Sequence, residues 1–175
     1  MLLRQVENFF PNLDRILPEI KKVQMYNQEA HQAKFKTGAT WPGYRSTHLS
    51  HENIFLYEFV NNLLYQHKLL EPGTWEIHSY VHLRLDVDKD EDWIHKDMQD
   101  DLAALIYLSE TNFDSGTYLY DENEKLINNI VAVKNRAVIY SAKYNHMGYG
   151  HFGININDGR LTINCFIKNH GYKKG

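Results

Sequence analysis

The sequence predicts a mainly β protein with helices on its N-terminal side. Two observations carry this. Up to Leu70 the apolar residues recur with a helical period, whereas after Pro72-Gly73 they alternate or gather in short runs punctuated by Gly, Asn and Asp. Seven short strands behind two helices make a closed or sandwich-like β architecture with the helices packed on one side. A chain of 175 residues is long enough for one buried core and short for two, so a single domain over 1–175 is expected, with 1–70 as helical support and 75–168 as the β core.

Taken in order, Pro11 or Asn12 starts a helix whose apolar positions are Leu13, Ile16, Leu17, Ile20 and Val23, with Pro18 placed to kink or restart it. Gly38-Ala-Thr-Trp-Pro-Gly-Tyr-Arg45 is rich in turn residues and reads as irregular. Ser50 then caps a second helix running to His67, with Ile54, Phe55, Tyr57, Val60, Leu63 and Leu64 on a broad apolar face. The strands follow at 75–85, 93–96, 102–109, 117–120, 130–133, 137–141 and 160–168. No internal repeat or low-complexity segment interrupts them.

Composition excludes several classes. With 43% hydrophobic and 23% charged residues the chain is of ordinary globular type rather than disordered. A net charge of -3 and the lack of any Lys/Arg cluster argue against nucleic acid as a partner. One cysteine, Cys165, allows neither an intramolecular disulfide nor a cysteine-based zinc site, and its apolar surroundings make it a buried thiol. Met1-Leu-Leu-Arg4 lacks the apolar run of a signal peptide, and no stretch approaches the length of a membrane span, so the expected compartment is the cytoplasm.

The chemistry starts at Trp93-Ile-His-Lys-Asp97. On an extended backbone residues i and i+2 point the same way, so His95 and Asp97 can grip one metal ion. Such a pair arises by chance in about one of every two chains of this composition and carries little alone. A further histidine would complete a two-His-one-carboxylate triad, which leaves coordination positions open and is typical of non-haem Fe(II) oxygenases. His146 and His151, both after the strand 137–141, are the candidates. Arg160 and Thr162 share a face by the same alternation, and an inward guanidinium needs an anion, for which a small dicarboxylate is suited.

His95-x-Asp97, then Tyr107 in Ala-Leu-Ile-Tyr-Leu-Ser109, then Ser115-Gly-Thr-Tyr-Leu-Tyr120, then Val-Ile-Tyr-Ser141 leading to His146, then Arg160-x-Thr162 together resemble the 2-oxoglutarate/Fe(II)-dependent oxygenase superfamily. The likeness is strongest to its small prolyl-4-hydroxylase-like branch of phage and bacterial type. It spans residues 75–168, and Trp41-Pro-Gly-Tyr-Arg45 is similar to a segment of small bacterial and viral members. The resemblance implies a double-stranded β-helix, a cupin-like jelly roll buttressed by two or more helices. It also implies His95, Asp97 and His146 as ligands of Fe(II), with His151 as the other candidate for the third place. Arg160 would hold the distal carboxylate of 2-oxoglutarate, assisted by Tyr107 and Thr162.

The implied reaction uses 2-oxoglutarate and O2, with ascorbate a candidate reductant, and releases succinate and CO2 while hydroxylating a prolyl or other amino-acid-like substrate. The alternative from another class is a non-catalytic jelly-roll binding module that retains a metal. Tyr80, Tyr107, Tyr118 and Tyr140 are candidates to line a shielded cavity, and Trp41 and Arg45 to touch substrate. Asp86, Asp88, Asp90 and Asp92 alternate like the start of a calcium loop, but Glu91 stands where that loop needs glycine, so a solvated acidic loop is expected. Glu76, His78 and His82 along one strand read as core or rim residues, with His82 also able to hydrogen-bond in the cavity.

Overall fold

The computed structural model describes residues 2–38, 40–88 and 92–170. Ten strands and four helices follow in the order β1 (Leu3–Val6), α1 (Leu13–Lys21), β2 (Met25–Asn27), α2 (Gln28–Phe35), β3 (Tyr44–Ser46), α3 (Leu49–Glu52), α4 (Ile54–Gln66), β4 (Trp75–Arg84), β5 (Leu102–Tyr107), β6 (Asn112–Tyr120), β7 (Leu126–Ala132), β8 (Ala137–Ser141), β9 (Asn145–Tyr149) and β10 (Arg160–Asn169). They form a seven-stranded sheet, β1-β8-β5-β10-β4-β3-β2, facing a three-stranded sheet, β7-β6-β9. The described pairings are antiparallel.

Alternation along the central strands sorts the two faces of the large sheet. Leu161, Ile163, Cys165 and Ile167 of β10 join Val81, Ile106 and Ile139 in a core shared with Ile20, Leu56, Val60 and Leu64 of the helices. The opposite face, with Ala103, Leu105, Tyr107 and Tyr140, packs against Leu119 and Ile130 of the small sheet. The result is a three-layer arrangement of helices, large sheet and small sheet. Antiparallel sheets packed face to face bury one set of side chains and leave a second set free to line whatever space the sheets do not close. That space holds the site.

The N-terminal third departs from the expected helical support. β1, β2 and β3 lie within it and extend both edges of the large sheet; three or four residues are too few to register a period of two against a helical one. The helix expected from Ser50 is split in two. Asn53 breaks it at φ −156°, and its side chain accepts from Leu56 N, capping α4. α1 begins after Asn12 as expected and runs through Pro18. Among the strands, 93–96 reduces to a single bridge at His95, whereas Asn145–Tyr149 forms a strand that alternation did not predict. Among the described residues no helix is long and apolar enough to cross a membrane.

The chain entering from β1 is pinned by one turn. Asn135, in the left-handed region at φ 62°, accepts from Phe9 N on its carbonyl at 2.9 Å. Its side chain accepts from Phe10 N and donates to Phe10 O, each at 2.9 Å. Both phenylalanines are fully buried, so these contacts hold an apolar wedge beneath the helices. Asn135→Ala is expected to lower unfolding stability by about 2–4 kcal/mol in a urea titration, from two lost hydrogen bonds and a non-glycine residue at positive φ. Asn135→Gly should recover only the backbone part, and a loss below about 0.5 kcal/mol for Asn135→Ala would show that the turn does not anchor the N-terminal segment.

Candidate functional site

His95 and His146 are brought together by backbone pairing. His95 N donates to His146 O at 3.0 Å and His146 N donates to His95 O at 2.8 Å. Directly opposed residues on antiparallel segments project to the same side, so the two rings meet with centroids 4.3 Å apart. Asp97 is tied by its own amide to Ala142 O at 3.1 Å, and its carboxylate Oδ2 lies 3.3 Å from His146 Nε2. One ligand atom from each of His95, Asp97 and His146 falls within 4.8 Å of the others.

The tautomers suit a cation. His95 Nδ1 lies 2.9 Å from Trp93 O and His146 Nδ1 lies 3.0 Å from Tyr144 O. A carbonyl oxygen only accepts, so each Nδ1 carries the proton and each Nε2 keeps its lone pair. Burial, reinforced by the neighbouring His146, holds the His95 imidazole below the usual histidine range and hence neutral. Two neutral imidazoles oriented by backbone carbonyls and one carboxylate are a donor set for a divalent transition metal, and the residues fit that group. His151 stands apart from this trio, with its Nδ1 3.6 Å from Asp92 Oδ2.

The trio faces a cavity of about 390 Å³ between the sheets. Arg160 opens β10 on the inner face and is 7% exposed. Its Nη2 donates to Gly116 O at 3.0 Å, its guanidinium sits 5.8 Å from the centroid of the Tyr107 ring, and its Nε is buried without an acceptor among the described residues. Thr162, two residues on, pairs in register with Tyr107 and donates to Asn164 Oδ1 at 2.7 Å. The Tyr107 hydroxyl is 2.9 Å from Thr117 Oγ1. Arg160 lines one end of the space, with Tyr107 and Thr162 buried behind it. Thr117, which sequence reasoning did not single out, lines it too; its signal was the alternation of Ser115, Thr117 and Leu119 inward against Tyr118 and Tyr120.

β4 and β3 continue the large-sheet wall beside β10. Trp41 and Arg45 line the cavity, with the Arg45 guanidinium 3.9 Å from the Trp41 ring centroid and 4.5 Å from that of Tyr80. Burial lowers the pKa of Arg45, with Tyr80 and Asp97 opposing that effect. His82 is also on this wall, rather than at the rim. Its Nε2 donates to Pro42 O at 2.7 Å and its Nδ1 accepts from Asn164 Nδ2 at 3.3 Å. Of the four tyrosines expected as lining, Tyr140 takes that place. Tyr107 lies behind the surface, Tyr80 walls an adjoining pocket and Tyr118 stacks on Tyr149. Within the acidic loop, Asp88 and Asp92 are not simply solvated, because both pair with the buried Arg84; residues 89–91 lie outside the described residues.

Burial drives the pKa of His82 down to about 3, with the arginines of the cavity adding to the effect and the Pro42 hydrogen bond opposing it. Between about pH 3 and 6.5 the unfolded chain binds a proton at this histidine and the folded one does not, so stability falls as pH drops through that window. The slope from this group is about 1.4 kcal/mol per pH unit. His82→Gln is therefore expected to flatten the decline of unfolding free energy between pH 6 and 4, on the order of one proton's worth. Equal slopes for the two proteins in urea titrations would refute the assignment of a neutral buried imidazole.

The chain matches no protein-family model and no curated protein sequence. Solved structures do match it. An oxidoreductase of the 2OG-Fe(II) oxygenase family from Burkholderia pseudomallei superposes with a TM-score of 0.67 at 11% identity, over 96% of this chain and 84% of that one. HygX from Streptomyces hygroscopicus, with nickel and 2-oxoglutarate bound, gives 0.68 at 10% identity, over 96% and 83%. A prolyl-4-hydroxylase from Pseudomonas putida gives 0.57 at 14% identity, over 97% and 93%. The chain thus has the double-stranded β-helix fold of the 2OG-Fe(II) oxygenase structures.

Proposed function

We propose that the protein is an Fe(II)- and 2-oxoglutarate-dependent dioxygenase that hydroxylates an unactivated C–H bond and releases succinate and CO2. The observation that carries this reading is one cavity holding both a three-donor centre and a buried arginine without a carboxylate partner among the described residues. His95, Asp97 and His146 would hold the metal through two Nε2 atoms and one carboxylate oxygen. Fe(II), when bound there, supplies the redox chemistry that couples decarboxylation of 2-oxoglutarate to oxidation of the substrate.

The remaining tasks fall to the chain itself. Arg160 binds the distal carboxylate of 2-oxoglutarate, its unpartnered Nε–H supplying a donor; Thr117 lines that end, backed by the Tyr107 hydroxyl, with Thr162 assisting from the same strand as Arg160. The apolar side chains of Leu105 and Ala103 beside them keep bulk water away from the reacting groups. HygX, a protein of similar fold with nickel and 2-oxoglutarate bound, supports the pairing of a metal with that co-substrate. A prolyl or other amino-acid-like substrate is the narrower proposal, supported by the likeness to a prolyl-4-hydroxylase. A metal-retaining module without activity would have no use for an unpaired Arg160.

Succinate release from 2-oxoglutarate with Fe(II) and O2 tests the reading. Replacing His95, Asp97 or His146 by Ala is expected to lower it at least about 100-fold, whereas His151→Ala keeps turnover. Arg160→Gln is expected to raise the KM for 2-oxoglutarate by about 10–100-fold, as a charged hydrogen bond is lost. No succinate from the wild-type protein, together with 2-oxoglutarate binding that survives Arg160→Gln, would overturn the proposal.

A further inference from the structure

Two guanidiniums in this cavity lack a carboxylate partner among the described residues, and the reaction's co-substrate accounts for one. Arg84, by contrast, is neutralised by Asp88 and Asp92. Arg45 sits at the junction of the main cavity with an adjoining pocket that contains Glu76 and Asp100, and it makes no ion pair with either. Its Nε is buried without an acceptor, and so is Nε1 of Trp41, the ring on which it stacks. Stacking on Trp41 and Tyr80 offsets part of the cost of a buried cation but leaves the N–H donors unanswered. Two neighbouring buried N–H groups with no acceptor among the described residues call for an acceptor-only group from outside the chain.

Position separates Arg45 from the co-substrate end. Its guanidinium stacks on Tyr80, which pairs with Asn164, four residues along β10 from Arg160. At about 3.3 Å per residue that is about 13 Å along the strand. Arg45 lines the same cavity as His95, Asp97 and His146, so the cation and the metal centre share that space. We propose that Arg45, assisted by Trp41, anchors the substrate by a carboxylate, and that the molecule oxidised is a small organic acid of the free amino acid type. This rests on the oxygenase reading, with Arg45 binding substrate rather than 2-oxoglutarate. The same carboxylate chemistry is offered by the C-terminus of a peptide, and the test separates the two.

The experiment follows the Arg45 Nε–Hε resonance of the full chain, loaded with Zn(II) and saturating 2-oxoglutarate, assigned by its loss in Arg45→Lys. Probes are the L-amino acids, their carboxamides, and dipeptides carrying the same residue at the C-terminus. At least one free amino acid is expected to shift the signal and to bind at least about tenfold more tightly than its amide and its dipeptide. In Arg45→Met, which keeps the stacked hydrocarbon, the acid-to-amide ratio should fall to near one. Amides that shift the resonance as strongly as acids, or a panel in which no free acid shifts it, would overturn the proposal and leave Arg45 a stacked structural cation. Dipeptides binding as tightly as free acids would overturn the assignment to a free acid. Repeating the titration without Zn(II) and 2-oxoglutarate, beside an Fe(II) succinate assay, distinguishes this proposal from the oxygenase reading. Acid discrimination with no succinate sinks the oxygenase reading and leaves Arg45 only as a carboxylate anchor, while succinate without acid discrimination sinks this proposal alone.

Discussion

The reciprocal pair of backbone hydrogen bonds between His95 and His146 is the constraint on which the site depends. Two imidazoles separated by fifty-one positions in the chain meet because their amides and carbonyls close a ladder step. The bond from Asp97 N to Ala142 O falls two positions out of that register, at the turn before β9, and ties down the residue whose carboxylate lies 3.3 Å from His146 Nε2. Main-chain geometry thus assembles the donors, and the carbonyls of Trp93 and Tyr144 settle which nitrogen faces the ion. No side chain needs to search for its partner, so the centre is organised before a metal arrives.

The second organising element is the handling of positive charge between the sheets. Arg84, Arg160 and Arg45 all line one cavity, and a buried guanidinium without an anion is costly. The protein answers in three ways. Two aspartates neutralise Arg84; backbone and aromatic contacts partly satisfy Arg160; Arg45 rests between two rings. His82, surrounded by these cations, stays neutral and serves as a hydrogen-bonding spacer between the Pro42 carbonyl and Asn164. Positive potential left uncompensated draws anions into a concave, poorly solvated space.

Much of this was legible from alternation. The inward pair Arg160 and Thr162 follows from a ten-residue strand long enough to show its period, as β4 also is, whereas β5 and β8 were legible as short apolar runs. The strand expected around His95 was another matter. A single bridge forms there, and what orients the pair is β9, whose sequence Asn-His-Met-Gly-Tyr carries no apolar alternation. The partner of His95 was therefore open between two histidines until tertiary pairing brought one of them into the trio. Arg45 was visible only as part of a turn-rich segment, since its place in the cavity wall comes from Tyr44 and Arg45 of β3 pairing with Leu83 and His82 of β4 across a long sequence separation. Short strands and lone bridges are stabilised by their neighbours, and local sequence leaves them unmarked.

The edges of the large sheet carry a consequence for the behaviour of the protein in concentrated solution. It ends on one side in the four residues of β1 and on the other in the three of β2, so few unpaired peptide groups are presented to another molecule. β1 covers β8, whose Ala137, Val138, Ile139 and Tyr140 are all buried. Without that four-residue cover, β8 would offer a run of bare amides and carbonyls backed by apolar side chains, a template for edge-to-edge aggregation. Leu3–Val6 thus guards the sheet against edge-to-edge pairing as much as it completes the fold.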